Sequence, residues 1–357
     1  MRETERASPL ARYLFVAYGL LVIYASLHPF SGWRDPGVAP LAFLTAPLPR
    51  YLTAFDLAAN FVAYAPLGFF AALALVPVLR RAPGIAIATL LAACLSLALE
   101  GLQNFLPVRI PSNLDLLTNT AGAFSGALAG AASTRLLLRD GGLQTLRYRV
   151  FLPGGRIDLG VVLLALWLVS QLNPETLLFG NGDLRELFHH ADGMLRPAQS
   201  FMRTEAAVAG ANALALGMLL SGLVGRAQPG WALFLLLVAA ALAVRTIAFG
   251  VLMTPQDMLL WVTPGALYGL AAGTLVAIVA MLLPRGGRLA LAGLALMGAT
   301  VLVNLAPENP YLASSLAQWR QGHFLNFNGL TRVLSAAWPF AALAYVMALL
   351  ADRSREH

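Results

Sequence analysis

The chain has 357 residues, of which 59% are hydrophobic and only 11% charged, and its net charge is +7. Soluble domains average about 25% charged residues, so this composition excludes an ordinary soluble protein and predicts an all-α, polytopic membrane helix bundle. All 24 basic residues are arginines. Anionic headgroups at a membrane surface explain this basic excess without a nucleic-acid partner.

Ten apolar stretches are candidate membrane spans, because a helix needs about 20 mostly apolar residues to cross a bilayer. Polar residues interrupt the third, fourth, eighth and tenth stretches, so the count can fall to nine. The stretches are residues 12–30, 55–79, 84–106, 114–138, 158–178, 205–225, 230–252, 258–283, 289–306 and 329–351.

The distribution of arginines among the connections predicts the orientation of the spans. With a cytoplasmic N-terminus, fifteen arginines fall in cytoplasmic segments and seven in external segments. We therefore expect a multi-pass protein with both termini in the cytoplasm. In this topology the connection that carries Arg109 is external.

Residues 139–157 are the clearest linker, because they are basic, contain glycine and are predicted to be cytoplasmic. They separate a four-helix membrane domain, residues 1–138, from a six-helix membrane domain, residues 158–357. The external connection 31–54 contains prolines that exclude a regular helix and aromatic residues that suit the headgroup region. The external connection 307–328 is either a similar aromatic belt or a cap over the polar residues of the first domain.

A weak internal repeat relates the two domains. TAGAFSGALAG in the fourth span resembles TPGALYGLAAG in the eighth, and Asp56 and Gly68 have the same separation as Glu205 and Gly217. Most polar residues of the first domain have no counterpart in the second, where no acid replaces Glu100. We interpret the pattern as a duplicated four-helix unit whose second copy has diverged. Chance similarity between glycine- and alanine-rich spans is the alternative.

A polar cluster lies between the third and fourth spans, in the sequence EGLQNFLPVRIPSNLD. Charged side chains are costly inside a bilayer, so such residues indicate a functional site. Glu100 and Gln103 share one helix face at i, i+3. Glu100 is a candidate catalytic residue, since a protonated carboxyl can act as a general acid, and Gln103 is a candidate binding residue. Arg109 either binds an anion through its planar guanidinium or forms a structural salt bridge with Glu100 or Asp115.

The fourth span carries one stripe of polar and small residues, which are Asp115, Asn119, Gly122 and Gly126. The two glycines form a GxxxG pattern, which favours close packing against another helix. Asp115 is a second candidate catalytic residue, and Asn119 is a candidate binding residue. Alternatively, Asp115 is the N-cap of this span, a role that Ser112 or Asn113 can fill equally well.

The second span opens with Asp56 and Asn60 on one face, followed by Pro66 and Gly68. Asp56 and Asn60 are candidate binding residues, whereas Pro66, which should kink the helix, and Gly68 are candidate packing positions. The predicted topology brings all these polar residues together on the external side. Three acids against one arginine imply either a protonated acid or a bound cation or amine. No histidine accompanies the acids, so their spacing does not resemble a zinc site. We expect no metal site and no cofactor, and a magnesium bridge to a lipid phosphate is the alternative.

These residues resemble the motifs of the VanZ-like family. D-x-x-x-N-x5-P-L-G begins at Asp56, and E-x-x-Q-x5-R-x5-D-x-x-x-N-x-x-G-x-x-x-G begins at Glu100. The resemblance covers roughly residues 15–135 and departs from the family pattern at Ser112, where many members carry an acid. It implies a cell-envelope protein of the bacterial inner (cytoplasmic) membrane. The name-giving member is associated with resistance to the antibiotic teicoplanin, by a mechanism that is not established for the family.

The residues support three functions. In the first, Arg109 binds an anionic envelope lipid or a lipid-linked glycan, and Glu100 and Asp115 provide proton transfer. The second is a proton- or ion-coupled transporter, against which the position of the acids near one membrane face argues. The third is a structural membrane subunit that acts through a partner. The sequence favours neither an enzyme nor a binder, and it indicates no oligomeric state.

Overall fold

The computed structural model describes residues 8–48, 53–76, 78–79, 81–138, 143–185, 198–225, 228–253, 255–306 and 325–353. The connection 307–328, with its predicted belt or cap, lies almost wholly outside these ranges. Two short 3-10 helices are Ala42–Thr45 and Pro255–Asp257. The α-helices of the described residues are α1 (Pro9–Leu27), α2 (Ala54–Leu75), α3 (Arg81–Gln103), α4 (Asn113–Leu138), α5 (Leu143–Val150), α6 (Gly155–Ser170), α7 (Ala198–Leu223), α8 (Gly230–Leu252), α9 (Pro264–Ala280), α10 (Arg285–Leu305) and α11 (Leu325–Arg353).

The predicted all-helical membrane bundle is confirmed, and each of the ten predicted spans coincides with one long helix. Within the described residues, seven helices are at least 18 residues long and apolar enough to cross a membrane. The remaining three are α4, which begins with polar residues, and the shorter α6 and α9, which have 16 and 17 residues. At 1.5 Å per residue the two short helices reach about 25 Å, slightly less than the hydrocarbon core of a bilayer.

The fifth and eighth predicted spans extend well beyond their helices at one end, and a proline lies near that end in both cases. The fifth span was expected to reach residue 178, but α6 ends at Ser170, before Asn173 and Pro174. A residue that precedes proline disfavours the helical conformation. The eighth span was expected to begin at residue 258, but α9 begins at Pro264, where Thr263 caps the helix. Proline suits the first helical position because its missing N–H would be unpaired there anyway.

The chain divides into two compact units. Unit 1 comprises Met1–Arg149 and Pro153–Val162, and unit 2 comprises Val150–Leu152 and Leu163–His357. The predicted linker 139–157 contains the helix α5, whose Arg147 forms an ion pair with Asp158 at the start of α6. The predicted linker is therefore partly ordered by a contact within unit 1.

Helices α2 and α4 form the largest interface of unit 1, and glycines make their close approach feasible. A Cβ atom at Gly122 would lie 2.2 Å from the Phe61 carbonyl oxygen, and one at Gly126 would lie 1.8 Å from that of Ala65. From the other side, a Cβ atom at Gly68 would lie 1.9 Å from the Ala123 carbonyl oxygen. The predicted GxxxG packing is thus found, and α2 is the helix that fills the groove.

Helix α1 packs against α2 near the proline of that helix. The Tyr18 hydroxyl donates a hydrogen bond of 2.9 Å to the carbonyl of Ala63. Pro66 lies within α2 and cannot donate to the carbonyl four residues before it. The tyrosine therefore supplies a hydrogen bond beside a turn where the helix ladder is interrupted.

The connection between α1 and α2 packs over the ends of α3 and α4. The Arg34 amide donates to the Phe105 carbonyl at 3.0 Å, and the Asn113 side-chain amide donates to the Ala46 carbonyl at 2.8 Å. Phe43 is buried, whereas Trp33 is exposed. The expected headgroup position therefore suits Trp33, while Phe43 contributes to the protein core.

Helix α7 is the centre of unit 2, where it packs against α8, α9 and α10. It meets α9 through glycines, as α2 meets α4 in unit 1. A Cβ atom at Gly269 would lie 2.2 Å from the Ala206 carbonyl oxygen, and one at Gly273 would lie 2.4 Å from that of Gly210. In each unit, two helices thus pack closely through glycines, and one further helix separates them along the chain.

The glycine contacts show which residues of the two proposed sequence copies correspond to each other. The alignment of TAGAFSGALAG with TPGALYGLAAG agrees with them, because Gly126 faces Ala65 and Gly269 faces Ala206. In this register Glu205 occupies the position of Tyr64, rather than that of Asp56 as the sequence suggested. The similar packing supports the duplication hypothesis, but it shifts the alignment of α2 with α7 by eight residues.

Polar residues hold the loop after α6 inside unit 2. Arg245 of α8 donates to the carbonyls of Asn173 and Thr176, and Arg332 of α11 pairs with Glu175 at 2.9 Å. The expectation that unit 2 had lost most of its polar residues is therefore incomplete. Its buried polar side chains include Gln171, Asn173, Asn181, Glu205, Asn212, Arg245 and Ser335.

Candidate functional site

The candidate residues of unit 1 gather at one end of the helices, which we call the polar end. At this end α1 and α3 finish and α2 and α4 begin. Because successive helices of this unit run in opposite directions, these termini lie together, and residues far apart in sequence become neighbours. The predicted convergence is found in the geometry, while the assignment of this end to the external side remains a prediction.

Glu100 is buried near the end of α3 and faces the start of α4. Its Oε2 atom accepts a hydrogen bond of 3.0 Å from the backbone amide of Ser112. Among the described residues this amide is the only hydrogen-bond donor to the Glu100 side chain. The carboxyl group therefore fastens the α3–α4 connection and retains capacity for a further partner.

Ser112, rather than Asp115, caps α4. The Ser112 hydroxyl oxygen accepts hydrogen bonds from the amides of Leu114, at 3.1 Å, and Asp115, at 3.4 Å. This resolves the alternatives for the start of α4 and frees the Asp115 carboxylate for other contacts. The departure from the family pattern at position 112 thus places a capping hydroxyl beside Glu100.

Arg109 lies half-buried in the connection between α3 and α4. Its guanidinium donates hydrogen bonds to the carbonyls of Ala25, at 2.8 Å, and His28, at 3.2 Å. No carboxylate of the described residues lies within salt-bridge distance, so the expected salt bridge with Glu100 or Asp115 is not formed. Burial lowers the pKa of the Arg109 guanidinium, and the nearby Glu100 charge opposes this shift. The Nε atom of Arg109 is buried without a hydrogen-bond partner.

Gln103 complements Arg109 by fastening α3 to the end of α1. Its side-chain amide donates a hydrogen bond of 2.9 Å to the Ser26 carbonyl. The last carbonyls of a helix have no partner within the helix. Gln103 and Arg109 together satisfy three carbonyls at the end of α1, so both have a clear structural contribution.

Asp115, Asn60 and Asp56 form the more exposed part of the polar end. The Asp115 carboxylate hydrogen-bonds the side chain of Asn60 and lies near the Asp56 charge. Asp56 is exposed, and its Oδ2 atom accepts a hydrogen bond of 2.6 Å from the hydroxyl of Thr53, the N-cap of α2. Asp56 therefore takes part in a capping arrangement, and its carboxylate also adds negative charge beside Asp115.

Below this layer lies a buried polar cluster, of which only Asn119 was predicted from the sequence. The Asn119 amide donates a hydrogen bond of 2.9 Å to the Ser96 hydroxyl, and Tyr64 lies close to Ser96. All three residues are buried. The helical spacing contained a signal for them, since Ser96 precedes Glu100 by four residues and Tyr64 follows Asn60 by four. Serine and tyrosine inside apolar spans are common, so this spacing alone did not single them out.

The packing residues support this cluster from beneath. Gly122 and Gly126 let α4 approach α2, and Gly68 lets α2 approach α4 in return. Pro66 lies between Tyr64 and Gly68 on α2. A wider helix separation would pull Asn119 away from Tyr64 and Ser96, so these positions control the geometry of the site.

The acids of the polar end do not form a metal site of ordinary composition. Within the described residues, no group of three His, Cys, Asp or Glu side chains is placed to hold a metal ion. The side chains instead offer hydrogen-bond donors and acceptors from a guanidinium, carboxyls, amides and hydroxyls. This chemistry suits a polar or anionic organic group.

Comparison with known proteins identifies the first unit. Residues 9–133 match the family model described as VanZ/LLP1, and no family model matches the second half of the chain. No curated protein and no solved structure matches the chain. The matched residues include α1 to α3, most of α4 and every candidate site residue, which confirms the resemblance inferred from the motifs. Residues 9–133 are therefore similar to the VanZ/LLP1 family, in a chain with several helices long and apolar enough to cross a membrane.

Proposed function

We propose that the polar end of unit 1 binds the anionic headgroup of a cell-envelope lipid or lipid-linked glycan at the outer face of the bacterial inner membrane. The observation that carries this proposal is the state of Arg109. Its guanidinium has two carbonyl acceptors, a free Nε–H and no carboxylate in contact among the described residues. A half-buried cation without a direct counter-ion favours an anion such as phosphate.

Glu100 and Asp115 supply groups that can transfer a proton to or from such a headgroup. The Glu100 charge influences both Arg109 and Tyr64, and the Asp115 charge influences Glu100. These residues therefore share one electrostatic site. If the bound lipid is chemically modified, Glu100 can act as general acid or base.

A structural function is the second candidate, and specific contacts favour it. Glu100 holds the amide of Ser112, while Gln103 and Arg109 hold carbonyls at the end of α1. These bonds join three chain segments whether or not a ligand is present. The two functions differ in what Arg109 contributes, since only binding requires its positive charge to be recognised by another molecule.

The test compares envelope lipids and glycolipids by mass spectrometry in cells that make wild-type protein, Glu100→Gln, Arg109→Gln or no protein. Arg34→Gln is the matched control, because Arg34 is exposed and belongs to the segment that covers the same end. We expect one lipid species to follow wild type and Arg34→Gln but to be lost with Arg109→Gln. Teicoplanin susceptibility of the same strains tests the phenotype raised by the family resemblance.

Thermal unfolding of the purified proteins in detergent separates binding from structure. If Arg109→Gln lowers stability and leaves all envelope lipids unchanged, the structural function is favoured. If Arg109→Gln is as stable as wild type and still changes no lipid, binding of an envelope lipid at this site is refuted. A lipid change with Arg109→Gln but not Glu100→Gln would indicate a binder rather than an enzyme.

A further inference from the structure

The polar end of unit 1 contains several unpartnered polar atoms. The side-chain atoms that are buried there without a hydrogen-bond partner are Asn104 Nδ2, Arg109 Nε, Asn113 Oδ1 and Asn119 Oδ1. Most buried polar groups in folded proteins have a partner, so each exception requires a physical explanation. Two of these atoms are donors and two are acceptors, which matches a ligand that presents both kinds of group.

Asn119 is the most deeply placed of these residues. It lies four residues after Asp115, about 6 Å further along α4, and its side chain is only 4% exposed. Its Nδ2 atom donates to Ser96, and its Oδ1 atom has no hydrogen-bond partner. Ser96 is thus a positioning residue for the Asn119 acceptor.

The surroundings of Asn119 indicate which kind of donor it accepts from. Its one hydrogen-bond partner among the described residues, Ser96, is a neutral hydroxyl group. Glu100 lies one turn further along α3 and is bonded to the Ser112 amide. A bound ammonium group would lose its hydration without a carboxylate in contact, which is costly, whereas a hydroxyl group would not.

Resting on the proposed function, we propose that the headgroup bound at the polar end carries a hydroxyl group beside its phosphate. The phosphate accepts from Arg109 Nε, and the hydroxyl donates to Asn119 Oδ1. A phosphatidylglycerol-type headgroup and a lipid-linked sugar phosphate share this chemistry. A phosphate without a hydroxyl, as in phosphatidic acid, satisfies Arg109 but leaves Asn119 unpartnered.

The test measures binding of lipids with identical acyl chains to the full-length protein in detergent micelles, by native mass spectrometry. The lipids are phosphatidylglycerol, phosphatidic acid and phosphatidylethanolamine, and a polyprenyl-phosphate sugar is compared with phosphatidylglycerol by competition. We expect wild type to bind phosphatidylglycerol about tenfold more tightly than phosphatidic acid, a difference of about 1.4 kcal/mol. The lipid that binds more tightly in this competition identifies the class of headgroup, a phosphatidylglycerol type or a lipid-linked sugar phosphate.

The variants separate this inference from the function on which it rests. Asn119→Leu, which has a similar volume, should abolish the preference for phosphatidylglycerol while retaining phosphatidic acid binding. Arg109→Gln should weaken both lipids to the same extent. If Asn119→Leu fails to fold, Ser96→Ala is the substitute, because it keeps the Asn119 amide but removes the hydroxyl that holds it. The preference for phosphatidylglycerol over phosphatidic acid should then fall partially. Arg34→Gln should bind both lipids as wild type does.

Two results would overturn the inference while leaving the proposed function intact. One is an equal affinity of wild type for phosphatidylglycerol and phosphatidic acid, with both weakened by Arg109→Gln. The other is a preference for phosphatidylethanolamine, which would show that the deep donor is an ammonium group. If Arg109→Gln changes the binding of no lipid, the proposed function fails as well.

Discussion

Gly126→Ala should destabilise unit 1, because α2 leaves no room for a methyl group at this position of α4. A Cβ atom there would lie 1.8 Å from the Ala65 carbonyl oxygen, whereas ordinary van der Waals contact begins at 3.4 Å. The deficit is 3.4 − 1.8 = 1.6 Å. The obstructing atom belongs to the backbone of a packed helix, so it cannot rotate away and the two helices must separate.

The expected magnitude follows from two opposing contributions. Overpacking a tight core typically costs about 1–3 kcal/mol, and the upper end applies because Gly68 and Gly122 bring the same two helices together. Alanine is favoured over glycine inside a helix by about 1 kcal/mol. We therefore expect a net loss of about 2 kcal/mol in the free energy of unfolding.

The assay is SDS titration of the protein in mixed micelles, with helicity followed by circular dichroism. Gly19→Ala in α1 is the matched control, since its Cβ atom would meet Leu67 Cδ1 at an ordinary distance of 3.8 Å. That variant should be as stable as wild type or slightly more stable. If Gly126→Ala behaves like Gly19→Ala, the close approach of α2 and α4 is not what stabilises this unit.

Three further changes test contacts that the structure defines, with the same SDS titration. Ser112→Ala removes the cap of α4 and should cost about 1 kcal/mol; an unchanged value would mean that another group caps this helix. Tyr18→Phe removes the hydrogen bond to the Ala63 carbonyl and should also cost about 1 kcal/mol, so wild-type stability would argue against that bond. Arg245→Leu leaves acceptors such as the carbonyl of the buried Asn173 unpartnered and should cost about 1–3 kcal/mol, with faster proteolysis in the loop after α6; resistance equal to wild type would show that the arginine does not hold the loop.

The sequence predicted the architecture well because hydrophobic length is a strong signal in a membrane protein. A span of about 20 apolar residues has few alternatives to a helix, since backbone groups in lipid must satisfy one another. Helix ends were less predictable, as α6 and α9 illustrate, because they depend on individual prolines and caps. The spacing of Asp115, Asn119, Gly122 and Gly126 also indicated one helix face correctly, since that spacing follows from helix geometry alone.

Partners across helices were not predictable from the same pattern. The sequence allowed Arg109 to pair with Glu100 or Asp115, but the guanidinium contacts the carbonyls of Ala25 and His28. Backbone carbonyls carry no residue identity, so no pattern of side chains reveals them as acceptors. The alignment of the second sequence copy with the first was not predictable for a related reason. Residue type pairs Glu205 with Asp56, whereas the glycine contacts between helices pair it with Tyr64.

The sequence by itself determined that this chain crosses a membrane repeatedly and that its VanZ-like polar residues belong to one face of each helix. Both properties arise from local features, namely hydrophobic length and helical period. Only the tertiary structure decided that Ser112 caps α4, that Asn119 donates to Ser96, and that Arg109 has no direct counter-ion among the described residues. These contacts depend on distances between helices, which are set by packing at Gly68, Gly122 and Gly126 rather than by position along the chain.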